Sequence, residues 1–213
     1  MTTSIDEGPV AMRSAVTAVD ERAVLANAAS EEEWMDFLGK KRAAPVNQVT
    51  ISAVLEGGRS KVRVVDMRPR IREKREKWTG AYFTPATAGE VETIPLTADL
   101  DRRRPAFSTT GKTSENYFRQ RQIELSRGEI TTISMTLTAQ KASYEFDILV
   151  TVMADDKAKE VIIHPEGESA FRLTGRESKA SNYRQVFEEV GGAWVQAPPG
   201  QWCVKLSLLK NCS

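Results

Sequence analysis

The sequence predicts a mainly β protein, an antiparallel two-sheet β-sandwich with a short N-terminal helical segment. Three observations lead to that expectation. The hydrophobic period changes from about 3.6 residues to 2 near Val46. Alternating apolar runs then recur at short, near-regular spacing. No long helical pattern separates them, which favours two packed sheets over a parallel sheet with crossover helices. The expected organisation is an acidic lead-in over residues 1–45 and a β-sandwich over 46–213, of which 176–213 forms an irregular extension.

Taken in order, AVTAVDERAVLANAA lacks proline and glycine and is rich in helix formers, so it reads as a helix. Ser30 with Glu33 three residues later makes a capping box for a second helix. Trp34, Phe37 and Leu38 line one side of that helix, and Gly39 stops it. In NQVTISAVL the apolar residues Val49, Ile51, Ala53 and Leu55 alternate with polar ones. Gly57-Gly58 then suggests a hairpin turn into SKVRVVDMRPRI. Within that second strand Val62 and Val64 share one parity while Val65, Met67 and Ile71 share the other, which requires a β-bulge near Val64.

VETIPLTADL carries Pro95 and reads as an edge or interrupted strand, followed by a loop, DRRRPAFSTTGKTSEN. RQIEL, ITTISMTLTAQ and SYEFDILVTVM are further strands. ADDK turns the last of these into KEVIIHP as a hairpin. After FRLTG the rhythm is lost through 176–200, and WCVKLSLL reads as a final strand.

The chain has 213 residues, 40% of them apolar and 28% charged, and a formal net charge of +1. This is enough to bury a core without metal or disulfide staples. No apolar run approaches the roughly 18 residues of a membrane-spanning helix, and the N-terminus lacks the pattern of a secretory signal, so the chain as given reads as cytoplasmic. A bridge between Cys203 and Cys212 requires a chain reversal near Lys210 and Asn211, and free thiols are the expectation. No pattern specifies an oligomeric state.

The small net charge conceals an uneven layout. Residues 1–40 carry eight acids against three bases, whereas residues 59–127 carry sixteen bases against nine acids. The densest basic stretch lies at 68–77, where Arg68, Arg70, Arg72 and Lys74 share one face of an extended strand. Like-parity residues there recur about 6.5–7 Å apart, close to phosphate spacing along a nucleic-acid strand. Arg102, Arg103 and Arg104, with Arg119 and Arg121, extend this row if their loops fold alongside. The alternative is a solvated face whose charges block edge-to-edge aggregation.

No motif supports catalysis. His164 is the single histidine and precedes a proline at a strand end, so its expected role is structural. With two cysteines at the C-terminus, zinc ligands are too few, and no spaced-carboxylate loop suits calcium. Neither a nucleophile elbow nor a complete phosphate loop is present. Asp155-Asp156 read as turn formers, and Glu166 and Glu168 as surface carboxylates. No catalytic residue, metal site or cofactor is expected.

From Val46 to about Gly175, the stretches QVTISAVLEGGRSKVRVVDMRPRIREKRE, VETIPLTADLD and ISMTLTAQKASYEFDILVTVMADDKAKEVIIHPEG, followed by FRLTG, resemble a family of uncharacterised actinobacterial proteins. Its members commonly carry a membrane-anchored, extracytoplasmic β domain. The resemblance implies a β-sandwich fold and association with the cell envelope, and it implies no activity or binding residue. The chain departs from that family in having no membrane-spanning segment before the β domain. The resulting expectation is a non-enzymatic binding or scaffold module at the envelope, with an unidentified protein or polyanion as partner. The alternative is a cytoplasmic polyanion- or nucleic-acid-binding regulatory protein that uses the strand at 68–77.

Overall fold

The computed structural model describes residues 3–5, 8–26, 29–58, 61–84, 94–109, 116–155 and 157–198. In chain order the elements are β1 (Thr3–Ile5), β2 (Val10–Ala11), α1 (Val19–Ala26), α2 (Glu31–Lys40), β3 (Ala44–Pro45), β4 (Gln48–Glu56), β5 (Val62–Arg75) and β6 (Ala81–Thr84). There follow β7 (Ile94–Asp99), β8 (Ser108–Thr109), β9 (Ile123–Leu125), β10 (Ile130–Thr138), β11 (Ser143–Ala154), β12 (Lys157–Ile163), β13 (Phe171–Thr174), β14 (Gln185–Val190) and β15 (Ala193–Gln196). The expected final strand WCVKLSLL, and both cysteines, lie outside the described residues.

The protein is mainly β, and its strands form three sheets. The pairing is not purely antiparallel. β7 runs parallel to β10, and β6 runs parallel to β14. Both parallel partners are far apart in sequence, which leaves room for the long connection that parallel pairing requires. Contacts divide the chain into two compact units, each assembled from three separate stretches.

The first unit comprises Met1–Asp6, Gln48–Arg75 and Glu90–Leu173. One of its sheets has the order β1-β4-β10-β7-β8, the other β12-β11-β5-β9, with β13 also paired to β11. Alternation places Val49, Ile51 and Ala53 of β4 and Ile133, Met135 and Leu137 of β10 in the same apolar cluster as Met67 of β5 and Phe146, Ile148 and Val150 of β11. Complete burial of such a side chain contributes roughly 1.5–3 kcal/mol. Pro95 lies opposite Ser134 of β10, next to the two β7 positions, Leu96 and Thr97, that pair with β8.

The Gly57-Gly58 hairpin is not formed. β4 pairs with β1 and β10, whereas β5 pairs with β11 and β9, so the chain changes sheet at this point. Gly57 instead locks onto the connection between β9 and β10. Its N–H donates to Glu129 O at 2.8 Å, and Gly128 N–H donates to Gly57 O at 2.9 Å. A Cβ on Gly57 would lie 1.8 Å from Ser126 O, so the glycine permits a close backbone approach. The β11–β12 hairpin does form, with Ala154 opposite Lys157 and Asp155 at φ 49°.

The second unit comprises Glu7–Asn47, Glu76–Gly89 and Thr174–Ser213, and holds the sheet β15-β14-β6-β2-β3. Residues of both parities are buried along its central strands. Phe83 and Phe187 join Leu25 of α1 and Phe37 of α2 in one cluster, while Tyr82 and Val186 join Trp78 and Tyr183 in another. α2 has its capping box: Ser30 Oγ accepts from Glu33 N–H, and Glu33 accepts from Ser30 N–H. Its Trp34 stacks on Phe37 at 5.7 Å and on Trp194 at 4.7 Å. Gly191-Gly192, both at positive φ, turn β14 into β15.

Candidate functional site

The basic strand β5 contains two register shifts against β11, and they decide where its cations point. The first falls beside Val65, between the pairs Asp66–Thr151 and Val64–Val152, where the change of parity demands a bulge. The second falls at Arg72, between Ile71–Phe146 and Glu73–Glu145. An extra residue in one strand moves every later side chain to the other face. Arg68, Arg70, Arg72 and Lys74 therefore do not form one row. Arg68 and Arg70 stand opposite Leu149 and Asp147, facing away from the core, whereas Lys74 stands opposite Tyr144, which belongs to the core cluster.

The cations of the outward row are already engaged. Arg70 grips Asp147 with two parallel bonds, Nε to Oδ1 at 2.9 Å and Nη2 to Oδ2 at 2.7 Å. Asp147 is only 1% exposed, and it holds the Arg70 guanidinium above its ordinary pKa through that hydrogen bond and charge. Arg68 lies 4.0 Å from Asp66, and Arg75 lies 2.5 Å from Glu73. At the bulge, Arg72 donates to the Ser169 carbonyl at 2.5 Å. Arg68, Arg70 and Arg75 thus have carboxylate partners, whereas Arg72 meets a backbone carbonyl.

Past the second bulge the arrangement differs. Lys74 Nζ lies over the Tyr144 ring, 5.5 Å from its centroid. Tyr144 Oη donates to Asp101 Oδ1 at 2.6 Å. The same carboxylate accepts the backbone N–H of Gln140 at 2.7 Å and that of Lys141 at 3.1 Å. Asp101 begins the run Arg102, Arg103, Arg104, all of them exposed. Tyr144 and Asp101 thus link the cation of β5 to those of the loop after β7 and to Lys141 in the β10–β11 connection.

Burial alone would raise the Asp101 carboxyl. The hydrogen bonds from Tyr144 and from the two backbone amides, with the charge of Lys141, outweigh burial and hold it below its ordinary 3.8. Burial, followed by the bond to Asp101, pushes the Tyr144 hydroxyl up. Arg102 is shared with Asp99 at 3.7 Å. Among the described residues, no carboxylate lies within ion-pair distance of Lys74, Arg103, Arg104 or Lys141. Lys141, Asp101 and Tyr144 escaped the sequence reading because their roles depend on contacts between residues about forty positions apart.

Elsewhere the chemistry is sparse. A depression of about 320 Å³ is lined by Lys61, Arg63, Glu124, Met153 and Asp155, but Lys61 and Glu124 are paired with each other at 2.5 Å. His164 is exposed, with Nδ1 3.0 Å from Pro165 O. Glu168 pairs with Arg172. Among the described residues, no cluster of three metal-ligating side chains occurs, and no helix is long and apolar enough to cross a membrane. Arg119, in the 3₁₀ turn Tyr117–Arg119, and Arg121 are exposed. Compared with protein-family models, curated proteins and solved structures, the chain matches none of them.

Proposed function

We propose that this protein is a binding module whose first unit engages a linear polyanion through Lys74, Arg103, Arg104 and Lys141, with Arg102 beside them. The carrying observation is the contrast between the two ends of β5. Arg68 and Arg70 have carboxylate partners, whereas among the described residues no carboxylate lies within ion-pair distance of Lys74, Arg103, Arg104 or Lys141. The unit is read as a two-sheet sandwich serving as a rigid scaffold for those cations. Support comes from the one core cluster to which both of its sheets contribute.

Recognition by charge, without base stacking, predicts strong salt dependence. Four phosphate contacts give a slope of about −3 in log affinity against log salt, or roughly fifty-fold weaker binding between 50 and 200 mM. The test is fluorescence anisotropy of a labelled oligothymidylate, with inorganic polyphosphate as competitor. Combined replacement of Lys74, Arg103, Arg104 and Lys141 by alanine should abolish binding, while Arg68→Ala should change it less than twofold. Salt-independent binding, or equal loss from Arg68→Ala, overturns the reading.

A further inference from the structure

We infer that Asp101 is a positioning residue for this cationic end, holding the 102–104 loop so that its arginines and Lys74 meet one polyanion together. The inference rests on the function proposed above. An aspartate among five basic side chains opposes anion binding by its charge, yet both of its oxygens are occupied by internal donors. Oδ1 takes the Tyr144 hydroxyl, and Oδ2 takes the Gln140 amide, with Lys141 N–H shared between them at 3.2 and 3.1 Å. The loop start is tied further by Leu100 N–H to Thr138 O at 2.9 Å and by Asp101 N–H to Asp99 Oδ1 at 2.9 Å. Three arginines follow directly, so freeing Asp101 frees the origin from which they project.

Charge and placement make opposite predictions. Removing one carboxylate about 10 Å from a bound phosphate should tighten binding up to about twofold, and less in salt. Losing the preset loop should weaken binding roughly tenfold, because its side chains must then be ordered on association. Fewer simultaneous contacts should also flatten the salt slope from about −3 toward about −1.5, a change that simple loss of stability does not produce.

The experiment compares the full chain with Asp101→Ala, Asp101→Asn and Tyr144→Phe by oligothymidylate anisotropy across salt, with circular dichroism confirming the fold. Tyr144→Phe leaves every charge in place, so it decides the matter if the Asp101 variants do not fold. Weaker binding with a flatter slope in the folded variants is the expected result. Unchanged or tighter binding overturns the positioning role, and the cationic reading then stands if the four-alanine variant still loses affinity. If that variant binds like wild type, the underlying reading fails and the positioning role falls with it.

Discussion

Replacing Arg70 by alanine tests whether the outward arginines of β5 serve the fold rather than a ligand. The change leaves Asp147, 1% exposed, without its bidentate partner. Breaking a fully buried pair costs about 3–5 kcal/mol. The Arg70 side chain is 46% exposed, so water can reach the vacated position, and about 2 kcal/mol is expected. Asp147→Ala should cost less, about 1 kcal/mol, because the half-exposed guanidinium it strands can be hydrated. The double variant should cost less than the two singles together, giving a coupling energy between 0.5 and 3 kcal/mol, on the order of paired buried groups. The readout is hydrogen exchange of the β5 and β11 amides in a denaturant series. Tryptophan fluorescence would report elsewhere, since all four tryptophans belong to the second unit's segments. A cost below about 0.5 kcal/mol for Arg70→Ala, or a larger cost for Asp147→Ala, refutes the reasoning.

Gly57→Ala should destabilise the first unit by about 3 kcal/mol or more, since its Cβ meets the Ser126 carbonyl. Gly58→Ala, with nothing within 4 Å of its Cβ, should stay within about 0.5 kcal/mol, and urea unfolding of both variants tests the contrast. Ser30→Ala removes the cap of α2 and should cost about 1 kcal/mol, seen as faster exchange of the α2 amides. The Asp101 carboxyl has a folded-state pKa below its ordinary 3.8, so its contribution to stability is present above that value and is lost as pH falls through the folded one. Asp101→Asn should therefore lower the unfolding midpoint at pH 7, with the gap to wild type closing under strong acid. A gap that persists undiminished at pH 2 would show that protonation of Asp101 is not involved.

Much of the first unit is visible in the sequence because β4 and β10 bury one face. Val49, Ile51 and Ala53, and likewise Ile133, Met135 and Leu137, keep strict alternation. The second unit is harder to read for the opposite reason. Ala81, Tyr82 and Phe83 are all buried, as are Val186 and Phe187, because apolar clusters cover both faces of that sheet. A strand buried on both sides loses its period-2 signature. That is why β14 falls within the stretch read as an irregular extension, although Gly191-Gly192 marks the turn. Pairing partners were also invisible. Gly57-Gly58 reads as a hairpin by composition, and only the approach of Ser126 and Glu129 shows that the chain changes sheets there.

The candidate site depends on two facts that alternation cannot carry. Counting by twos along RPRIREK places four cations on one face, and the count fails because a single extra residue at Arg72 reverses the parity of everything after it. The demand for the bulge near Val64 comes from apolar residues switching faces. At Arg72 no such demand exists, because after Ile71 every residue of the strand, from Arg72 to Arg75, is charged and a polar side chain is acceptable on both faces. The second fact is the state of each charge. Arg70 and Lys74 are equivalent as letters, yet Asp147, seventy-seven residues on, neutralises one, while Tyr144 supports the other with the flat face of a ring. A cationic sequence therefore locates positive charge, and the carboxylates brought in by distant strands decide which of it remains available to a partner.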